Sequence, residues 1–152
     1  MITNLPIESI RHKLLESLHA CKRFVLSAPT GSGKSTQVPQ MLLDGHPELK
    51  GAIFVLQPRR LAARMLAKRV AFERKKILGT EVGFQVRFQD RSSPDTKILY
   101  ITEGLFWRRL IGDPVLNGVG AVLFDEFHER HIVGDLALSR IKEVQKTRPD
   151  LV

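Results

Sequence analysis

Residues 7–20, IESIRHKLLESLHA, place Ile7, Ile10, Leu14, Leu15 and Leu18 at the spacing of one helical face. RFVLSA (23–28) is a short apolar run and predicts a buried strand. A helix is expected from Lys34 to Asp44, stopped by Gly45 and Pro47. AIFVLQ (52–57) predicts a second buried strand, and Pro58 suits the first turn of the helix LAARMLAKRVAFERKKI. GFQVRFQ (83–89) alternates and predicts a more exposed strand, whereas KILYIT (97–102) predicts a buried one. EGLFWRRLIGD predicts a helix, AVLF (121–124) a last clear strand, and DLALSRIKEVQK a last helix. Strands alternating with helices imply an α/β fold: a mostly parallel sheet with helices on both faces.

At 152 residues the chain has room for one domain with a hydrophobic core. The sequence holds no internal repeat, low-complexity tract or linker, and residues 1–152 are read as a single unit. The alternation calls for another strand after RPDLV, so a truncated lobe of a longer protein is expected. The 43% apolar and 26% charged content is that of an ordinary globular chain. No apolar run reaches the roughly 20 residues that span a bilayer, and the N-terminus lacks the pattern of a secretory signal. Cys21 stands alone, which excludes an internal disulfide and fits a reducing, cytoplasmic setting. Its plainest role is a small residue ahead of a buried strand. The net charge of +8 would draw the chain to polyanions such as nucleic acid, although basic solvated faces would give the same count.

The chemistry begins at APTGSGKST (28–36), between a predicted strand and a predicted helix. It matches the phosphate-loop pattern G-x-x-x-x-G-K-[ST] with Ala28 in place of the first Gly. Gly31 and Gly33 let the backbone curl so that successive N–H groups face phosphate oxygens, and the helix N-terminus adds to that field. Thr30, Gly31, Ser32, Gly33, Lys34, Ser35 and Thr36 are therefore the candidate nucleotide-binding residues. Lys34 reaches the outer phosphates, Ser35 offers a hydroxyl to Mg²⁺, and Thr36 serves the inner phosphate. A dinucleotide G-x-G-x-x-G fails here because Thr36 stands at the third glycine. A Gly-rich turn with a capping Ser is the plain structural alternative.

A second site lies in AVLFDEFHERH (121–131), where a predicted strand runs into adjacent carboxylates. Parallel sheets place their chemistry at strand C-termini. Asp125 is the candidate Mg²⁺ ligand with Ser35, and Glu126 the base that orients and deprotonates a water. Glu126, Lys34 and His128 make up the candidate catalytic set, with His128 beside the acids as a packing or relay residue. His128 and His131 are three apart instead of the four of a zinc-protease H-E-x-x-H. Solvated charges at a helix start remain the alternative.

Taken together, APTGSGKST, QPRRLAAR, TEG and DEFHER resemble the DEAH-box helicases. The bacterial HrpB-type ATP-dependent helicases resemble the chain most, sharing Phe127 in the box. The resemblance runs from Leu14 to about Leu151 and implies the first of two RecA-like lobes of a phosphate-loop NTPase. It implies ATP and Mg²⁺ as cofactors, with single-stranded nucleic acid, RNA before DNA, and a second RecA-like lobe as partners. It also implies that Pro58, Arg59 and Arg60 grip the nucleic-acid backbone, that Thr102, Glu103 and Gly104 make a second contact, and that Arg69 stacks on the nucleotide base. The positions of Arg59 and Arg60, after a buried strand and beside a helix N-terminus, suit phosphate on physical grounds as well. Phe106 and Trp107 are expected in the core.

The expected function is an ATP-binding helicase lobe, in an enzyme that couples ATP hydrolysis to translocation or unwinding. The lobe alone is expected to be weakly active, because a missing arginine finger costs about 10³–10⁵ in rate. Two rival readings stand beside it. One is a phosphate-loop NTPase acting on a partner other than nucleic acid; the other is an RNA-binding module with a vestigial nucleotide site.

Overall fold

The structure, a computed structural model, describes residues 5–152. Five strands form one sheet: β1 (Ala52–Gln57), β2 (Val82–Val86), β3 (Gln89–Arg91), β4 (Ile98–Thr102) and β5 (Val119–Phe124), in the order β3-β2-β4-β1-β5. β2, β4, β1 and β5 run parallel, and β3 returns antiparallel to β2. Five α-helices accompany them: α1 (Arg11–Ala20), α2 (Lys34–Gly45), α3 (Arg60–Glu73), α4 (Glu103–Gly112) and α5 (Ile132–Thr147). A 3-10 turn, Pro6–Ile10, leads into α1.

The period-two alternation of the central strands feeds two separate cores. Ile53, Val55, Ile98, Tyr100 and Ala121 face one layer, packed with Leu14 and Leu18 of α1, Met41 and Leu42 of α2, and Ala63, Ala67 and Val70 of α3. Phe54, Leu56, Leu99 and Ile101 face the other layer, against Phe106 and Leu110 of α4 and Ala137, Ile141 and Val144 of α5. Burial on both faces explains why AIFVLQ and KILYIT read as unbroken apolar runs.

Four expectations need correction. RFVLSA forms no strand: it runs extended, with Leu26 and Ala28 packed on the first core but Val25 97% exposed. An apolar run becomes a strand only where a neighbour offers a ladder. The outer edge of β5 is engaged by Val152, whose N–H donates to the Gly120 carbonyl at 3.0 Å and whose carbonyl accepts from the Val122 N–H at 2.9 Å. GFQVRFQ is not one exposed strand; β2 is largely buried, the chain turns at Arg87 and Phe88, and Gln89 opens β3. The helix expected to reach Ile77 stops at Glu73, and Lys75 takes a left-handed φ of 55°. Cys21 is exposed, since no buried strand follows it.

Candidate nucleotide and nucleic-acid site

The parallel strands all deliver their C-terminal ends to one rim. Gln57 leads to Pro58 and Arg59, Thr102 to Glu103, and Phe124 to Asp125. The phosphate loop joins this rim through α2. Gly31 and Gly33 have φ of 79° and 92°, a left-handed curl that side-chain-bearing residues rarely adopt. Gly33 caps α2, and a Cβ built there would stand 2.8 Å from Leu5 Cδ1. The Ser32 N–H donates to Pro29 and the Thr36 N–H to Gly33, while the first turn of α2 leaves its remaining N–H groups without helical acceptors. Thr36 Oγ1 also donates to the Gly33 carbonyl, at 3.1 Å. Ser32 Oγ is buried with no protein partner, a polar atom inside the curl of the loop. Thr30 is exposed at the start of the turn. Tyr100 holds the loop to the sheet: its hydroxyl donates to the Ser35 carbonyl at 2.8 Å. Burial, with the charges of Asp125 and Glu73, drives that phenol far above its ordinary pKa, so it stays a neutral donor.

Lys34 Nζ lies 3.5 Å from the Ala28 carbonyl and 3.8 Å from Glu126 Oε1. His128 Nε2 lies 3.4 Å from Glu126 Oε2. The candidate catalytic set of Lys34, Glu126 and His128 is thus gathered from the loop and from the end of β5. Asp125 is held by both neighbours: Gln57 Nε2 donates to its Oδ2 at 2.6 Å, and the Glu126 N–H to its Oδ1 at 3.0 Å. Glu126 itself has φ of 51° and opens a 3-10 turn, Phe127–Glu129. Phe127 packs edge-on against Phe124, with ring centroids 5.8 Å apart. A hydroxyl at Ser35 and a carboxylate at Asp125 are hard oxygen donors, a set that fits Mg²⁺, which keeps waters and takes the rest from phosphates.

At the same rim, Arg59 caps α3 and Arg60 begins it, with Pro58 between them and β1. Arg59 Nη2 pairs with Glu129 Oε1 at 3.2 Å. Thr102 caps α4, whose first residues are Glu103 and Gly104, and the space around Gly104 is open. Glu103 sits against Gly134, and its Oε2 lies 3.4 Å from His131 Nδ1. Burial pushes the Glu103 carboxyl above its ordinary pKa; His131 opposes that shift and Glu129 adds to it. Arg69 stands apart from these grips, beside the phosphate-loop helix. Its Nε pairs with Glu73 at 2.6 Å, and Glu73 accepts from Gln37 and Gln40 of α2, each at 2.9 Å. Partial burial pushes Glu73 up, but the bonds from Arg69, Gln40 and Gln37 outweigh it and hold the carboxyl below its usual range. Phe106 is fully buried against Phe54, as expected, whereas Trp107 is half-buried beside Ile111 and Pro114.

Three features of the rim escaped sequence reasoning. Gln57 holds Asp125, and a polar residue closing an apolar strand was the available signal. Glu129 and His131 bind the two expected grips, and nothing in their spacing announces it. The tip Arg87–Phe88, with Arg87 over the Phe88 ring at 4.7 Å, follows β2 and stands beside the end of β4. Its signal was an exposed aromatic at positive φ, visible only in three dimensions.

No family model matches the chain. It is 44% identical over 151 residues to the ATP-dependent RNA helicase HrpB of Escherichia coli K12, a match covering 99% of this chain and 18% of that protein. It is also 44% identical over 148 residues to the ATP-dependent RNA helicase DHX33 of Homo sapiens, covering 97% of this chain and 21% of the relative. Two crystal structures of the Escherichia coli protein match the fold. One, described as a DEAH/RHA helicase, has a TM-score of 0.89 at 44% identity over 94% of this chain and 18% of its own. The other, described as a DExH-box NTPase, has a TM-score of 0.94 at 43% identity over 99% of this chain and 19% of its own. Over nearly its whole length the chain is similar to these DEAH/RHA helicases. Its mostly parallel sheet, covered by helices, has the α/β fold of these structures, that of a RecA-like lobe. The chain spans 18% to 21% of the length of these curated relatives. Among its described residues no helix is long and apolar enough to cross a membrane.

Proposed function

We propose that this chain is the ATP-binding lobe of a cytoplasmic ATP-dependent RNA helicase. In that enzyme, hydrolysis between this lobe and a second RecA-like lobe drives movement along single-stranded RNA. The observation that carries the reading is the approach of Lys34 to Glu126, 3.8 Å apart, on the rim that also presents Arg59. The free N–H groups at the start of α2 and the Lys34 ammonium bind the outer phosphates of ATP. Ser35 and Asp125 would hold Mg²⁺, which would supply charge neutralisation on the phosphates. Gln57 keeps the Asp125 carboxylate oriented. Glu126 accepts the proton of the attacking water, and His128 supports its second oxygen. Arg69 lies on the flank of the loop helix, a setting that supports contact with the nucleotide base. Pro58, Arg59 and Arg60 take the RNA backbone at one strand end and Thr102, Glu103 and Gly104 at another. The Arg87–Phe88 tip extends that line with a charge and a ring for stacking.

The rival readings, an NTPase without a polymer and an RNA module with a vestigial site, are not favoured by relatives named ATP-dependent RNA helicases. The deciding experiment measures ATP hydrolysis by the full-length protein with no polymer, with single-stranded RNA and with single-stranded DNA. Strong stimulation by RNA is expected. Equal rates in all three would sink the helicase reading.

A further inference from the structure

Two polar pairs join the exit of β1 to the exit of β5. The first is Gln57 with Asp125, at 2.6 Å. The second, two residues beyond the end of β1, is Arg59 with Glu129, at 3.2 Å. From Glu129 the contacts continue: its other oxygen lies 3.8 Å from His131 Nε2, and His131 Nδ1 lies 3.4 Å from Glu103. A single line of polar contacts therefore touches both proposed backbone grips, Arg59 and Glu103, with Glu129 between them.

The pair at Arg59 is unequal. The arginine side chain is 74% exposed and the Glu129 side chain only 24%. The guanidinium can swing into solvent, whereas the carboxylate is held by its turn. A carboxylate also offers a guanidinium the same paired oxygens as a phosphate diester. The turn that carries it, Phe127–Glu129, is bracketed by Glu126 and Arg130, both with φ of 51°. That conformation is sparsely populated for residues with a side chain, so the turn is held by its contacts more than by its own preference.

We propose that Glu129 is a positioning residue that occupies Arg59 in place of an RNA phosphate, so that RNA engages Arg59 by displacing a carboxylate of the same chain. The proposal rests on the helicase reading, in which Arg59 grips RNA. The turn starts at Glu126, so loss of the Arg59 contact at its far end removes one of the bonds tying the water-activating residue to β1. RNA binding and the nucleotide site thereby share a physical connection, additional to any made by a second lobe.

The test uses the full-length protein without nucleotide and a fluorescent single-stranded oligouridylate at low salt. Glu129→Gln should bind about twofold to fivefold tighter than the parent, the scale of an exposed ion pair. Glu129→Asp keeps the charge but shortens the reach to Arg59, and should also tighten binding, though less. In an Arg59→Ala background, Glu129→Gln should change nothing. Melting temperatures identify any variant that fails to fold; if Glu129→Gln is one, Glu129→Asp carries the test. Tightening by Glu129→Gln in both backgrounds, with Glu129→Asp at the parental affinity, would reduce the effect to overall charge and overturn the proposal. If Arg59→Ala weakens binding but neither Glu129 variant tightens it, the proposal fails and the Arg59 grip stands. If Arg59→Ala leaves RNA affinity unchanged, both fail together.

Discussion

Single residues at the rim divide their duties by environment. Asp125 has both oxygens engaged, by Gln57 and by the Glu126 N–H, so it is fixed in direction and suited to a metal. The Glu126 carboxylate instead lies against Lys34 and His128, at 3.8 and 3.4 Å. Glu126→Gln is accordingly expected to keep ATP affinity while turnover falls by about 10²–10⁴, the usual worth of a general base. Equilibrium binding of a fluorescent ATP analogue beside steady-state hydrolysis checks this. Hydrolysis near the parental rate would assign water activation to another group.

At the scale of elements, the phosphate loop depends on the backbone more than on side chains. Gly33 is at once the cap of α2 and a left-handed residue, with Leu5 beside the place its Cβ would fill. Gly33→Ala must adopt a conformation that costs about 1–2 kcal/mol for a residue with a Cβ. Both a lower melting temperature and weaker nucleotide binding are expected, since the strained cap displaces the N–H groups proposed to meet phosphate. A variant that loses neither would show that the loop tolerates another curl. The β2–β3 hairpin illustrates the opposite dependence. Its tip is exposed and contributes nothing to the core, yet the parallel pairing of β2 with β4 brings it to the functional rim.

For the molecule as a whole, the +8 charge becomes meaningful once the fold brings Arg59, Arg60 and Arg87 to the rim at the C-terminal ends of the parallel strands. Each phosphate contact to single-stranded nucleic acid adds about 0.7 to the slope of log affinity against log salt. Replacing both Arg59 and Arg60 by Ala in the full-length protein should flatten that slope for RNA by about 1.4, two contacts at that value. A salt titration of RNA binding measures it. An unchanged slope would place the backbone contacts elsewhere on the protein.

What the sequence determined by itself was local or carried by contiguous motifs. The loop APTGSGKST, the acids after AVLF and the doubly covered sheet follow from short-range periodicity and from residue chemistry at fixed spacing. These survive translation into structure because α2 and the parallel strands are each specified by their own residues. The tertiary structure decided whatever depends on a partner distant in the chain. RFVLSA has the composition of a buried strand, but a strand needs a partner ladder, and the structure leaves this segment extended and unladdered. The grip of Gln57 on Asp125, of Glu129 on Arg59 and of His131 on Glu103 joins segments that no spacing rule connects. Hydrophobic pattern encodes which face a residue buries, whereas polar pairing at strand ends is set by which strands lie side by side.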